Sequence, residues 1–155
     1  GADVAKAFGC KVVYYSASGR TYDTEYEKVS FDELLKVSDI ISIHAPLNEN
    51  TQNLFDYDAI SRMKKSAVLL NLGRGPIVND ADLARALDEE LIAAAGLDVI
   101  TREPIEKDNA LLSIKNDSRL IITPHIAWAT FEARSRLMDC VYNNIKDFIA
   151  DSCEE

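Results

Sequence analysis

The chain has 155 residues, of which 17 are basic and 26 acidic, so its formal net charge is −9. This length matches one ordinary domain and allows a buried core without disulfides or metals. The excess of acidic residues excludes general electrostatic binding to nucleic acid or to an anionic membrane. No apolar run reaches the length that is needed to span a bilayer. Three widely spaced cysteines, at positions 10, 140 and 153, fit no zinc motif and favour a reducing, cytoplasmic compartment.

Helix and strand patterns alternate along the sequence. Good helix formers at 2–8 end at Gly9, and the β-branched and aromatic run at 11–15 predicts a strand. Ser30 and Glu33 have the spacing of a capping box that opens a short helix. Further along, the sequence predicts strands at 40–43, 67–72, 93–99 and 120–122, helices at 55–64 and from Asn79 to about Glu90, and a long helix opened by Thr130.

The later strands are apolar on both faces and are separated by helices. Strands of this kind belong in a parallel sheet that helices cover on both sides. The sequence therefore predicts the α/β class with a doubly wound, Rossmann-type parallel sheet. In such a sheet ligands bind at the carboxyl ends of the strands, so the residues just after each strand are the candidates for function.

Chemically versatile residues collect after these predicted strands. Both histidines of the chain, an arginine between two glycines and two acids fall on the one predicted edge. The residues that follow or end the strands include His44, Ala45, Pro46, Leu72, Gly73, Arg74, Asp98, Glu103 and His125.

Arg74 and His125 have the clearest chemistry among them. A guanidinium beside glycines can bind a carboxylate through two parallel hydrogen bonds, and the alternative is a surface arginine in a tight turn. A histidine at a strand end suits proton transfer near neutral pH, and the alternative is a histidine that caps a helix or fills the core. Glu103 follows what should be the neighbouring strand, and a carboxylate close to His125 would favour its protonated form.

Three other residues each have two open interpretations. His44 either lines a nucleotide pocket or satisfies backbone groups before Pro46. Asp98 either accepts a hydrogen bond from a ligand amide or caps the next segment. Trp128 is typical of packing, although three residues beyond His125 it could instead wall a substrate pocket.

Three segments together resemble the signature segments of the D-isomer-specific 2-hydroxyacid dehydrogenases, in their order and in their separation. They are Asn71-Leu72-Gly73-Arg74-Gly75, Gly96-Leu97-Asp98-Val99 with Glu103-Pro104, and Thr123-Pro124-His125. The resemblance implies an NAD(P)-binding Rossmann domain, a second wound domain and a homodimer of the full-length protein. It also implies that Arg74 orients the substrate carboxylate and carbonyl, and that His125 is the acid–base residue with Glu103 as its partner.

The same resemblance implies the cofactor contacts and the reaction. Asp98 would bind the nicotinamide carboxamide, His44-Ala45-Pro46 would line the adenine side, and Leu72-Gly73 would lie along the nicotinamide ribose. Ser16 and Ala127 complete the implied cofactor-binding set. The implied reaction is hydride transfer between NAD(P) and a small 2-hydroxy or 2-keto acid, and Trp128 is similar to the glycerate dehydrogenase, or hydroxypyruvate reductase, branch.

Two features depart from the family pattern. No G-x-G-x-x-G occurs in the sequence, so we expect a partial Rossmann domain at 1–128 without its first strand and glycine-rich turn, inactive by itself. A helix at 129–155 would follow and pack toward a substrate domain. The turn after the strand at 11–15 carries Ser16, Ser18 and Arg20 in place of an acid, and these side chains could accept a 2′-phosphate, as in family members that use NADP. Because an acid-free turn also occurs among members that use NAD, NAD is the expected cofactor and NADP the alternative.

The resemblance also leaves a protein of another class open. The same fold with the same arginine, glutamate and histidine serves in transcriptional corepressors that sense NAD(H) and bind partner peptides. An assay of peptide binding against an assay of hydride transfer distinguishes the two.

Overall fold

The computed structural model of the chain describes residues 1–151. Within that range the chain forms five α-helices and six strands. The helices are α1 (Ala2–Ala7), α2 (Phe31–Val37), α3 (Tyr57–Ser61), α4 (Asp80–Asp88) and α5 (Phe131–Asp151). The strands are β1 (Val13–Tyr14), β2 (Glu27–Lys28), β3 (Ile40–Ile43), β4 (Val68–Asn71), β5 (Ala94–Leu97) and β6 (Leu120–Ile122).

All six strands pair in parallel, and they form two separate sheets. Strands β3, β4, β5 and β6 lie side by side in chain order, with Ile43 opposite Asn71 and Asn71 opposite Leu97. Strands β1 and β2 pair only with each other, Val13 lying opposite Glu27. The predicted α/β fold with parallel strands is confirmed, although the strands divide between two sheets.

Side-chain caps fix the starts of the helices that the sequence predicts. The Ser30 hydroxyl accepts a hydrogen bond from the Glu33 N–H at 3.1 Å, and the Asn79 side chain accepts from the two backbone N–H groups that open α4. The Thr130 hydroxyl accepts from a backbone N–H in the first turn of α5. Each cap satisfies a donor that has no partner within the helix, and the predicted starts are confirmed.

Strand β2 is missing from the sequence prediction. Glu27 and Lys28 are both charged and exposed, so no hydrophobic pattern marks them as a strand. They are extended because they pair with β1, which is a contact that a local pattern does not contain. The predicted strand at 11–15 is shorter in the structure because only Val13 and Tyr14 pair with β2. The predicted helix at 55–64 is also shorter, since Phe55 bridges to Val78 and Asp56 caps the helix that begins at Tyr57.

The hydrophobic core lies against the four-stranded sheet. Its fully buried side chains come from different elements and include Leu35 of α2, Ile60 of α3, Leu69 of β4 and Leu83 of α4. Complete burial of one aliphatic side chain of this size contributes about 1.5–3 kcal/mol. This core holds β3 to β6 in place, and with them the edge at which the strands end.

Helix α5 exposes an apolar stripe whose residues recur at helical spacing. Its five residues are between 41% and 73% exposed: Leu137, Val141, Ile145, Phe148 and Ile149. No helix within residues 1–151 combines the length and apolar character that crossing a membrane requires. Cys10 and Cys140 are exposed free thiols. Cys153 and the predicted end of the helix at residue 155 lie outside the described residues.

Candidate active site

The candidate site lies at the carboxyl edge of the four-stranded sheet. Parallel strands end on the same edge, and ligands of such sheets bind there. His44 follows β3, Arg74 follows β4, Asp98 follows β5 and His125 follows β6. The fold therefore brings the predicted residues of four strand ends to one edge, whereas Ser16 follows β1 in the other sheet.

An imidazole and a carboxylate are in direct contact at this edge. His125 Nδ1 lies 2.8 Å from Glu103 Oε2, and the two side chains are 39% and 38% exposed. Because an ionised carboxylate only accepts hydrogen bonds, Nδ1 carries the proton of this contact and Nε2 is left for another partner. The second oxygen of Glu103 accepts from the Ile100 N–H at 3.3 Å, so the backbone anchors the carboxylate.

The backbone of His125 has an unusual conformation. Its φ angle is 55°, in the left-handed region that residues with a Cβ seldom adopt, at a cost of roughly 1–3 kcal/mol. The His125 N–H donates to the carbonyl of Asp98 at 2.9 Å and to that of Thr123 at 3.0 Å. The Trp128 indole N–H donates to the His125 carbonyl at 3.0 Å. These bonds hold the histidine in a position that its own preferences disfavour.

The carboxylate of Asp98 organises the segment that carries His125. It is 5% exposed and accepts from Thr123 Oγ1 at 2.6 Å, from Ile126 N at 2.9 Å and from Ala127 N at 2.8 Å. Burial raises the pKa of Asp98, but the three hydrogen bonds and the nearby His125 outweigh burial and set that pKa below its usual range. Its donors lie in the segment after β6 and not in the segment that directly follows Asp98, as the capping interpretation predicted, and the binding of a ligand amide stays a prediction.

Arg74 occupies a turn that is confined on two sides. A Cβ at Gly73 would lie 2.9 Å from the carbonyl oxygen of Ala45, and a Cβ at Gly75 would overlap the backbone of Ile100. Glycine is therefore required at both positions. The exposed Arg74 side chain donates through Nη1 to the Gly73 carbonyl at 2.8 Å, and within residues 1–151 no hydrogen bond joins it to the histidine–glutamate pair.

Beneath this turn lies the buried side-chain amide of Asn71, for which the sequence alone indicated no role. Asn71 ends β4 and is fully buried; its Nδ2 donates to the Arg74 carbonyl at 3.0 Å, and its Oδ1 accepts from the Gly73 N–H at 3.1 Å. The signal in the sequence that could have indicated this role is an amide at the end of an otherwise apolar strand. Thr123, which donates to the buried carboxylate, was missed as well, and nothing in the local sequence distinguishes it from a solvated hydroxyl.

The remaining predicted residues make fewer contacts. His44 is exposed, with Nε2 at 2.9 Å from Ser42 Oγ, and Leu72 is 41% exposed. Ser16 is buried, and its Oγ lies 3.2 Å from Ser18 Oγ. The cofactor roles implied for these residues, and for Ala45, Pro46, Gly73 and Ala127, stay predictions.

Comparison with known proteins identifies the family. Residues 1–127 match the family model described as the D-isomer-specific 2-hydroxyacid dehydrogenase, NAD-binding domain. The chain belongs to this family. A hydroxypyruvate reductase of Blautia hydrogenotrophica is 43% identical to this 2-hydroxyacid dehydrogenase domain over 151 residues, which cover 96% of this chain and 46% of the relative.

Solved structures share the fold over nearly the whole chain. An acyclic imino acid reductase in complex with NADPH and D-Arg superposes with a TM-score of 0.86 at 35% identity, over 97% of this chain and 47% of that one. A D-lactate dehydrogenase from Aquifex aeolicus, complexed with NAD and lactic acid, gives a TM-score of 0.85 at 30% identity, over 99% of this chain and 50% of that one. The chain thus spans about half the length of the curated relatives it matches.

Proposed function

We propose that the chain forms the nicotinamide-binding, acid–base part of an oxidoreductase that interconverts a small 2-hydroxy acid and its 2-keto acid. The observation that carries this proposal is the 2.8 Å contact between His125 Nδ1 and Glu103 Oε2 at the ligand-binding edge of the sheet. A histidine held in this way can carry a proton on its other ring nitrogen. The relatives described above are named as reductases and dehydrogenases, which supports the same reaction class.

The residues of the edge fit the nicotinamide end of a dinucleotide. Leu72 presents an apolar side chain to solvent where β4 ends, and among residues 1–151 Asp98 Oδ2 accepts a hydrogen bond from Ala127 N alone. An apolar surface and an acceptor for an amide N–H suit a nicotinamide ring with its carboxamide. In this proposal Leu72 and Asp98 hold that end, and Ser16 and His44 lie on the adenosine side. When bound, NAD or NADP supplies the hydride chemistry.

The residues of the chain supply the proton and the grip on the substrate. His125 gives a proton from Nε2 to the keto oxygen in reduction and takes it back in oxidation, while Glu103 fixes the tautomer and stabilises the imidazolium. The guanidinium of Arg74, which in the structure donates to the Gly73 carbonyl of its own turn, turns to the substrate carboxylate and binds it through two parallel hydrogen bonds. Its charge also stabilises the negative charge that develops on the reacting oxygen.

Hydroxypyruvate is the substrate that we place in this site. The Blautia relative is named a hydroxypyruvate reductase. Trp128 lies half exposed, three residues beyond His125, and its indole is fixed by the hydrogen bond to the His125 carbonyl. A fixed aromatic ring with an exposed face is suited to wall a small pocket.

For the whole protein we propose a cytoplasmic homodimer, with residues 1–128 as a partial nucleotide-binding domain and the following helix packed toward a substrate domain. The exposed apolar stripe of α5 supports the last part, since side chains such as Val141 and Ile145 gain from being covered.

Hydride transfer by the complete protein that contains this chain tests the proposal. The protein is expected to oxidise NADH or NADPH faster with hydroxypyruvate than with pyruvate, measured by the absorbance of the reduced nicotinamide. His125→Ala is expected to lower kcat by about 10²–10⁴-fold, because proton transfer to the keto oxygen is lost. Glu103→Gln is expected to lower kcat as well, since a neutral amide stabilises the imidazolium less.

Glu106→Gln is the matched control for Glu103→Gln. Glu106 lies in the same loop but pairs with Arg102 at 2.7 Å on the surface, so kcat is expected to stay unchanged. Unchanged kcat in His125→Ala contradicts the assigned proton donor. Oxidation of NADPH with an imino acid but with no 2-keto acid contradicts the substrate class and assigns the site to the reaction for which the imino acid reductase is named.

A further inference from the structure

We infer that Asn71 is a positioning residue, which sets the direction of Arg74 toward the substrate carboxylate by holding the turn Gly73–Gly75 from beneath. The inference rests on the proposed function, because it assigns Arg74 to the substrate. Its basis is a fully buried amide whose side-chain hydrogen bonds all go to this turn. A side chain that only filled the end of β4 would need no such polar groups.

The amide contacts three consecutive residues of the turn. Oδ1 accepts from the Gly73 N–H at 3.1 Å, and Nδ2 donates to the carbonyls of Arg74 at 3.0 Å and Gly75 at 3.5 Å. The two carbonyls also accept the backbone N–H groups of Ile77 and Val78, whereas Gly73 N–H has no other acceptor within residues 1–151. Loss of the amide therefore leaves one buried donor unpaired at Gly73, which is costly.

Gly73 links this amide to the guanidinium. Its N–H is held by Asn71 Oδ1, and its carbonyl accepts the Nη1 of Arg74 at 2.8 Å. The residue whose carbonyl receives the guanidinium is thus also the one whose N–H is held by the buried amide. A rotation at Gly73 changes both the backbone direction at Arg74 and the resting place of its side chain.

Close packing leaves the turn little freedom apart from this rotation. Gly73 lies against the carbonyl of Ala45 and Gly75 against the backbone of Ile100, with no room for a Cβ at either. Because the turn is confined on both flanks and is hydrogen-bonded to Asn71 beneath it, a shift of the Asn71 side chain also shifts the side chain that the turn exposes. That side chain is Arg74, and misplacement of a substrate-binding group by about 1 Å can cost 10²-fold in rate.

Asn71→Ser in the complete protein is the first test, since serine is too short to reach the turn. We expect kcat/KM for the 2-keto acid to fall by about 10–100-fold, with most of the change in KM, and the dissociation constant of the reduced cofactor to change by a smaller factor than KM. Ile92→Ala is the control, because Ile92 is fully buried just before β5, at the opposite edge of the sheet. It is expected to lower the urea midpoint while leaving kcat/KM unchanged.

A double-mutant cycle shows whether Asn71 acts through Arg74. If it does, Asn71→Ser added to Arg74→Ala lowers kcat/KM by less than about twofold, because the group being positioned is already gone. Effects that multiply overturn the inference, since Asn71 then acts by another route. If Arg74→Ala itself leaves KM unchanged, the proposed role of Arg74 fails, and the cycle reports that failure separately.

Amide hydrogen exchange tests the turn without any turnover. In Asn71→Ser the Gly73 amide is expected to exchange at least about tenfold faster relative to the Leu69 amide of β4 in the same protein, because local opening no longer breaks a hydrogen bond. In Asn71→Asp, whose carboxyl still accepts, the Gly73 amide is expected to stay protected. Exchange of Gly73 that changes only in step with Leu69 in both variants overturns the inference.

Discussion

Different interactions stabilise residues 35–111 and the segments on either side of them. All the fully buried apolar side chains of the described chain lie between Leu35 and Leu111. Within the segment before them Lys6 pairs with Glu25 on the surface, and Phe31 packs its ring against that of Phe55 in the core. The segment after them includes His125, whose backbone N–H donates to the carbonyl of Asp98. The comparison shows that the hydrophobic effect stabilises the scaffold, whereas polar bonds attach the proposed proton donor to it.

The largest effect that tests this division is expected from the core. Leu69→Ala removes a fully buried side chain from the centre of the sheet and should lower the free energy of unfolding by about 2–5 kcal/mol. In the 155-residue chain by itself, Ile145→Ala, on the 55% exposed stripe of α5, should change it by less than about 0.5 kcal/mol. Urea unfolding of the two variants measures both values, and equal losses would contradict the division.

An intermediate effect is expected where the two regions are joined. Asp98→Asn exchanges a carboxylate that accepts three hydrogen bonds for an amide, and should cost about 1–3 kcal/mol at neutral pH. Because the pKa of Asp98 is lowered in the folded state, its stabilising contribution is present above the usual carboxyl value of about 4 and is lost as the pH falls through the lowered value.

The pH dependence of that difference is the decisive measurement. Unfolding of Asp98→Asn and of the unchanged protein, compared from neutral pH into acid, should give a stability difference that shrinks below the usual carboxyl pKa. A difference that stays constant into strong acid would mean that ionisation of Asp98 contributes nothing to the free energy of unfolding.

The smallest effect is expected at the amino-terminal segment. Lys6 Nζ lies 2.5 Å from Glu25 Oε2, but the two side chains are 55% and 62% exposed, so solvent screens the pair. Lys6→Met should therefore change the free energy of unfolding by less than about 1 kcal/mol, and added salt should reduce even that difference. A larger loss, insensitive to salt, would show that the pair of Lys6 and Glu25 is not a solvent-screened surface contact.

Much of the fold could be predicted because its signals are local. The apolar runs at 40–43 and 120–122 became strands with those same limits, and the caps at Ser30 and Asn79 open the helices predicted from them. Strand β2 could not be predicted in this way, since its extended backbone depends on pairing with β1. The division into two sheets likewise follows from strand neighbours, which periodicity does not specify.

The site was predictable in composition and less so in geometry. The order of strands and polar residues placed His125 and Glu103 at one edge, but their contact depends on how two loops fold. The left-handed backbone of His125 is held by bonds from Asp98, 27 positions earlier in the sequence, and no local preference favours it. The buried role of Asn71 appears only once the turn above it is seen.

The parallel register of the sheet also bears on how the molecule is assembled. Each strand of the larger sheet pairs with the next one in the chain, Ile40 opposite Val68, Val68 opposite Ala94, and Ala95 opposite Leu120. Every pairing therefore closes a long loop, and such non-local contacts slow folding. In a chain that emerges from its amino terminus, β6 is the last strand available for pairing. The contact of His125 with Glu103 can therefore form only after the rest of the sheet can form. A ribosome-bound chain can thus fold its core and most of its sheet before the acid–base pair is complete.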